Sequence, residues 1–304
     1  MRKLKRLFRA LFFIIFIVAI FKVVNDLNLK KDVIPKSAMR IYIKASDEIS
    51  ENKLQVNWKY VAALDSIRIN NDFSKATIED AKKIAAKFLE TNTSENKFKN
   101  SKYKLLTFDE VINKFSYTDK EKQKVYKFLE VINDKYLVEV NDEKKDFINE
   151  LTPIAISIYK EYSILPSILI GQAIIESNWG NSTLSAEHNN LFGIKSTKSW
   201  KGKVVDMKTS ENYNDTIVAT FRAYDSKKDS LDDYAQFLKN NKRYKENGVF
   251  NATDYINQAK AIDKAGYSTK KDETGKNMYA DLLTQIIKEY NLQLIDCKFQ
   301  QESF

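Results

Sequence analysis

Cysteine occurs once, at Cys297, so no internal disulfide can form and the fold must be held by its core alone. Histidine is as scarce, with His188 alone. Without a second imidazole or a cysteine cluster, no metal site is expected. A Ser-His-Asp or Cys-His hydrolase would have to use His188, and no nucleophile-elbow pattern accompanies it. Seven glycines and three prolines are too few for a fold built on many turns. Abundant Lys, Glu, Leu and Ile favour helices instead. With 304 residues, one or two domains can each bury a core.

A broad basic surface is also missing. The net charge is +9, but residues 1–30 carry +6 of it, through Arg2, Lys3, Lys5, Arg6, Arg9, Lys22 and Lys30 against Asp26. The nearly balanced remainder argues against nucleic acid as a partner. One apolar run stands out. Residues 10–21 are unbroken, and residues 7–24 are interrupted only by Arg9 and Lys22. Eighteen helical residues reach roughly 27 Å, enough for a membrane core if both basic side chains snorkel. The five basic residues before residue 10 would stay in the cytoplasm, leaving the rest of the chain outside. A cleaved signal peptide is the rival reading, although no small-x-small site follows the run. The expected organisation is therefore a basic tail and transmembrane signal anchor over 1–30, then a stalk and helical region over 31–145. A catalytic-type domain over 146–296 and a short tail over 297–304 complete it.

Within 31–145, residues 25–50 read as a membrane-proximal stalk and 92–104 as a polar loop. Val61, Leu64 and Ile67 suit one helix, and Ile78, Ala81 and Ala85 another. Thr107 with Glu110, and Thr118 with Glu121, have the spacing of capping boxes. Trp58, Asp65, Arg68 and Asp72 form a polar-aromatic group, for which a solvated helix face is the plainer account.

Residues 166–180 carry the strongest local signal. Pro166 suits a first helical position and Gly180 the left-handed residue past the end. Between them only Gln172, Glu176, Ser177 and Asn178 are polar. Glu176 thus falls in the last turn of a mostly buried helix. The negative end of the helix dipole and apolar neighbours such as Trp179 both favour its protonated form. A carboxyl kept protonated near neutral pH can protonate a leaving sugar oxygen. The plainer alternative is a salt bridge or a helix-end hydrogen bond. Further on, 204–208 and 217–221 are β-prone runs separated by a polar stretch, which predicts a hairpin. Helical pattern returns over 230–238, 252–261 and 279–290.

Glu176-Ser-Asn-Trp-Gly, Ser182, Leu184, and Asn189-Asn-Leu-Phe-Gly-Ile-Lys195 resemble the bacterial glucosaminidases of glycoside hydrolase family 73. So do Phe221-Arg-Ala-Tyr224-Asp-Ser226, Ser230, Ala265-Gly-Tyr267-Ser-Thr269 and Tyr279-Ala280. The likeness runs in order over roughly residues 146–292. It implies a mainly helical α+β, lysozyme-like domain with a small β-hairpin lobe, and no metal or organic cofactor. It also implies Glu176 as the general acid and places a further acid near Glu211. Asp206, Asp215, Asp225 and Glu187 compete with Glu211, and a carboxylate in a polar turn is often mere solvation. Both inversion through a distant base and participation by the substrate's N-acetyl group fit these residues. Tyr224, Tyr267 and Tyr279 match tyrosines of the family's sugar cleft, where aromatic faces bind pyranose rings. Trp179 can floor the site or belong to the core. Asn189 and Asn190 suit the turn after the helix, with Asn190 also a candidate substrate contact, and Phe192 and Gly193 shape the cleft.

The expectation is a membrane-anchored hydrolase of peptidoglycan glycan strands, cutting the β-1,4 bond on the reducing side of N-acetylglucosamine. A muramidase or lytic transglycosylase on the same fold is the near rival, and a non-catalytic wall-binding scaffold the distant one. Nothing in the sequence names a protein partner.

Overall fold

Helix Pro166–Ser177 is apolar along nearly its whole length, and the carboxy-terminal half of the chain is built around it. All of its residues are buried except Ile175 and Glu176. The computed structural model describes residues 33–91, 102–135, 142–211, 215–269, 271–275 and 277–302. Helices Asp142–Tyr162, Lys227–Asn240, Tyr255–Lys264 and Tyr279–Glu289 surround the central helix and share one apolar cluster with it. Gly171 permits one close approach, because a Cβ there would sit 2.8 Å from Leu283 Cδ1 and 3.2 Å from Ile287 Cγ1. Helix Tyr279–Glu289 therefore lies directly against the glutamate helix.

The expected hairpin is strands Val204–Glu211 and Asp215–Arg222, antiparallel in a register running from Val204 opposite Arg222 to Glu211 opposite Asp215. Helices around one small hairpin are the mainly helical α+β layout that a lysozyme-like domain requires.

The amino-terminal region departs from a stalk. Helix Lys36–Ser50 buries Ala38, Tyr42 and Ala45, spaced to share one face, in a second apolar cluster. Its mixed charges, which suggested a solvated stalk, include Lys44 and Glu48 on the exposed side. Helices Trp58–Arg68 and Ile78–Ala86 form as expected, and both capping boxes are made: Thr107 with Glu110, and Thr118 with Glu121. The expected loop is partly strand, since Tyr103–Leu105 pairs with Leu89–Thr91. The polar-aromatic group resolves into separate structural tasks. Asp65 is buried and accepts from Tyr42 Oη at 2.7 Å and Arg68 Nε at 2.7 Å. Asp72 caps the short turn Phe73–Lys75, and Trp58 Nε1 donates to Asn291 Oδ1 across the two regions.

The short tail expected over 297–304 falls largely within helix Gln293–Glu302, with Asp296, Cys297, Phe299 and Gln300 buried. Cys297 joins the amino-terminal cluster, while Phe299 meets Tyr159 of the other half. A helix buried between two bodies, partly through polar side chains, has no amphipathic stripe to read. Asp296 also supplies what the glutamate helix lacks. That helix has no side-chain cap of its own, and Asp296 accepts from Ser167 N at 2.9 Å and from Ser167 Oγ. A carboxylate at the helix start satisfies an orphan N–H and complements the dipole.

The transmembrane segment read at residues 7–24 lies outside the described residues. Among those described, no helix is long and apolar enough to cross a membrane.

Candidate active site

The glutamate helix ends in an unusual turn. Asn178, Trp179 and Gly180 all adopt positive φ, at 51°, 62° and 77°. The left-handed region thus begins two residues before the glycine that the sequence pointed to. Asparagine tolerates it, whereas a bulky tryptophan there is strained and must be held by its surroundings. Trp179 packs edge-on against Phe147 and Tyr290, with the Lys144 ammonium 4.6 Å from its ring centroid. Ser177 ties the turn together: its Oγ donates to Ala173 O and accepts from Gly180 N. The result is a tightly tied exit immediately after Glu176, the last-turn residue.

Tyr279 Oη donates to Glu176 Oε1 at 2.9 Å, and Gln172 Nε2 donates to Tyr279 Oη at 3.1 Å. The Tyr267 ring lies 4.7 Å from that of Tyr279 and meets Tyr234 edge-on. Tyr234 in turn stacks on Phe192, with centroids 3.9 Å apart. Glu176 keeps an accessible face, yet protein atoms crowd it enough for desolvation to dominate and raise its pKa. Hydrogen bonds from Tyr279 and Tyr267 work the other way. No lysine or arginine enters this balance among the described residues. Burial is the largest cause, in line with the desolvation expected from the sequence, and Trp179 itself packs on Phe147 and Tyr290.

A cavity of about 640 Å³ opens beside this group, lined among others by Phe192, Gly193, Arg222, Asp233 and Tyr267. A second, of about 510 Å³, is lined by Trp179 and its neighbours Asn178 and Gly180 together with Phe147 and Lys144. Of the residues named from the sequence, Glu176, Tyr267 and Tyr279 are brought into one group, and Phe192 borders the first cavity with Tyr267. Asn190 instead works inside the fold. It is 1% exposed, and its amide donates to Ile194 O and Arg222 O and accepts from Ile194 N. Tyr224 is also internal, donating to Asp233 Oδ2 at 2.6 Å. Asp233 pairs with Arg222, whose guanidinium lies over Trp200, so this cluster anchors the hairpin base. Asn189 is left-handed, as expected, but the helix it caps is Thr183–His188, a short helix beyond the glutamate helix that the sequence did not suggest.

Glu211 stands at the turn end of its strand, opposite Asp215 in the backbone register. Its competitors Asp206 and Asp225 are engaged at the surface, Asp206 with Thr220 Oγ1 and Asp225 with Lys203. Glu187 is exposed beside His188. Gln172 and Tyr234 are the residues of the group that sequence reasoning did not place. Gln172 had a signal, a lone amide one turn before Glu176 in an apolar helix. Tyr234 had none beyond helical spacing. Among the described residues, no cluster of three His, Cys, Asp or Glu side chains is arranged to hold a metal.

Comparison with known proteins bears on residues 152–292, which match the glucosaminidase family model, described as mannosyl-glycoprotein endo-beta-N-acetylglucosaminidase. The exo-glucosaminidase LytG of Bacillus subtilis is 42% identical over 163 residues, covering 51% of this chain and 54% of that protein. The peptidoglycan hydrolase FlgJ of Vibrio parahaemolyticus is 36% identical over 151 residues, or 48% of this chain and 47% of its own. A probable N-acetylmuramidase of Lactococcus lactis is 37% identical over 159 residues, covering 49% of this chain and 34% of its own. The chain spans about half the length, or less, of these relatives.

Proposed function

Residues 152–292 belong to the glucosaminidase family, glycoside hydrolase family 73, and from that premise we propose that this protein is a peptidoglycan hydrolase with N-acetylglucosaminidase activity. It cleaves the β-1,4 bond on the reducing side of N-acetylglucosamine, with Glu176 protonating the departing oxygen. One observation carries this reading: a desolvated carboxyl with an accessible face, flanked by two phenols, one of which, Tyr267, also lines an open cavity. Such an acid holds its proton to higher pH than a solvated glutamate and can give it to a bound glycoside. Tyr267 and Phe192 supply aromatic surface for a sugar ring. The name of the lactococcal relative keeps the neighbouring bond as a second reading. Digestion of purified peptidoglycan, with mass spectrometry of the new ends, decides between them. Reducing N-acetylglucosamine ends support the proposal, whereas reducing or anhydro-muramic ends overturn it.

Glu211 is the proposed second group, at the turn end of the hairpin. If it activates water, Glu211→Gln lowers kcat by about a hundredfold or more with little change in KM. A loss below about tenfold indicates that the substrate's N-acetyl group does the work instead. The anchor proposal rests on the sequence of residues 7–24 alone, with the amino terminus cytoplasmic and the domain facing the wall. In fractionated cells the full-length chain is expected in the membrane after alkaline extraction. A shortened, soluble product outside the cell would show cleavage instead.

A further inference from the structure

Gln172 lies one helical turn before Glu176, fully buried in an otherwise apolar or small-residue stretch. Its Nε2 donates to Tyr279 Oη, while its Oε1 is buried without a partner among the described residues. An unsatisfied buried amide oxygen destabilises a fold, and an apolar side chain of the same shape would avoid that loss. The amide is thus poor packing but effective chemistry. A phenol has a single proton to place. With the Gln172 N–H on one side of the oxygen, the Tyr279 proton is directed at Glu176 Oε1. A carbonyl-type oxygen is the better acceptor, so this bond favours Oε2 as the oxygen that carries the proton of the neutral acid. The ring of Tyr279 is held against that of Tyr267, whose hydroxyl also hydrogen-bonds to Glu176.

We propose that Gln172 is a positioning residue: by holding the Tyr279 hydroxyl as a donor to Oε1, it favours Oε2 of Glu176 as the oxygen that carries the acidic proton. The inference rests on the reading of Glu176 as the general acid. It acts through Tyr279, and this makes it testable apart from activity.

The carboxyl resonance of Glu176, identified by its absence in Glu176→Gln, can be titrated in the full carbon-13-labelled chain. A fixed donor stabilises the carboxylate, so Gln172→Met is expected to raise the pKa of Glu176 by roughly half a unit. The same change made on top of Tyr279→Phe should move nothing further. An unchanged or lowered pKa in Gln172→Met, or an equal rise in both backgrounds, overturns the relay. Gln172→Leu serves the same comparison if the methionine variant does not fold. The alkaline limb of the kcat profile should move up with the resonance. A limb that stays in place while the resonance moves overturns Glu176 as the acid, and with it the catalytic meaning of the relay.

Discussion

Glu176→Gln is expected to lower kcat on peptidoglycan by about 10³-fold or more, within the range that removing a general acid produces. The substitution is chosen because it changes the proton and little else. The amide oxygen still accepts from Tyr279 Oη, the side-chain volume is conserved, and the helix packing does not involve this residue. Binding should therefore persist, with KM within about threefold and the melting temperature within about 2 °C of the parent, as for a partly exposed isosteric change. That combination separates loss of chemistry from loss of fold. The parent's kcat should fall as pH rises through the pKa of Glu176, at higher pH than an ordinary glutamate would give, because desolvation outweighs the two phenols. Retention of more than a tenth of the parental rate would remove Glu176 from the acid's role. Glu211, whose position follows from backbone register alone, would then be the next acid to examine.

The catalytic half was legible because its signals are local. Pro166 opens a helix, an apolar run carries it, and a single glutamate stands at its end; these features predict helix, burial and chemistry together. The hairpin was legible for the same reason, as two β-prone runs joined by polar residues. What escaped lies in pairs far apart in sequence. Asp296 caps Ser167 from 129 residues away, and Gln172 meets Tyr279 from 107. No periodicity encodes such pairs. Tyr224 shows another kind of pairing. Its position in a recognisable block drew it toward the cleft, but Asp233 lies within reach and takes its hydroxyl. Helix Lys36–Ser50 was misread because its buried face is made of Ala38, Tyr42 and Ala45, two of them small. Small buried side chains contribute little to a hydrophobic stripe, even where they allow close helix packing.

Stability should fall as pH rises from about 5 to 7.5, and Asp296 is the main reason. It is buried and its pKa is pushed up to about 7, first by desolvation and then by the charge of Asp254, against the Ser167 hydrogen bonds. Asp47 adds to this at about 6, where burial outweighs Lys288, Tyr255 and Gln55. The sign follows from linkage. Between the unfolded value of 3.8 and the raised folded values, the folded chain holds protons that the unfolded chain has released. Stability from this source is greatest below about pH 4 and is lost as pH rises through about 6 and 7. For Asp296 the loss is on the order of 2–4 kcal/mol when complete. In a chain of this size that lowers the melting temperature by roughly 5–10 °C. Measurements should stop near pH 7.5, because buried Lys59, with its pKa lowered to about 8, reverses the trend above that point. Asp296→Asn isolates the carboxyl. The amide oxygen can still accept from Ser167 N, so the cap survives while the titration is removed. Thermal unfolding of this variant should show a flatter pH profile and greater stability than the parent at pH 7.5. Asp296→Leu, which removes the cap as well, should be less stable than Asp296→Asn at every pH. A parental slope retained in Asp296→Asn would shift the effect to Asp47. That carboxylate joins the amino-terminal helix Lys36–Ser50 to Tyr255 and Lys288, so the same experiment would then report on the seam between the two halves.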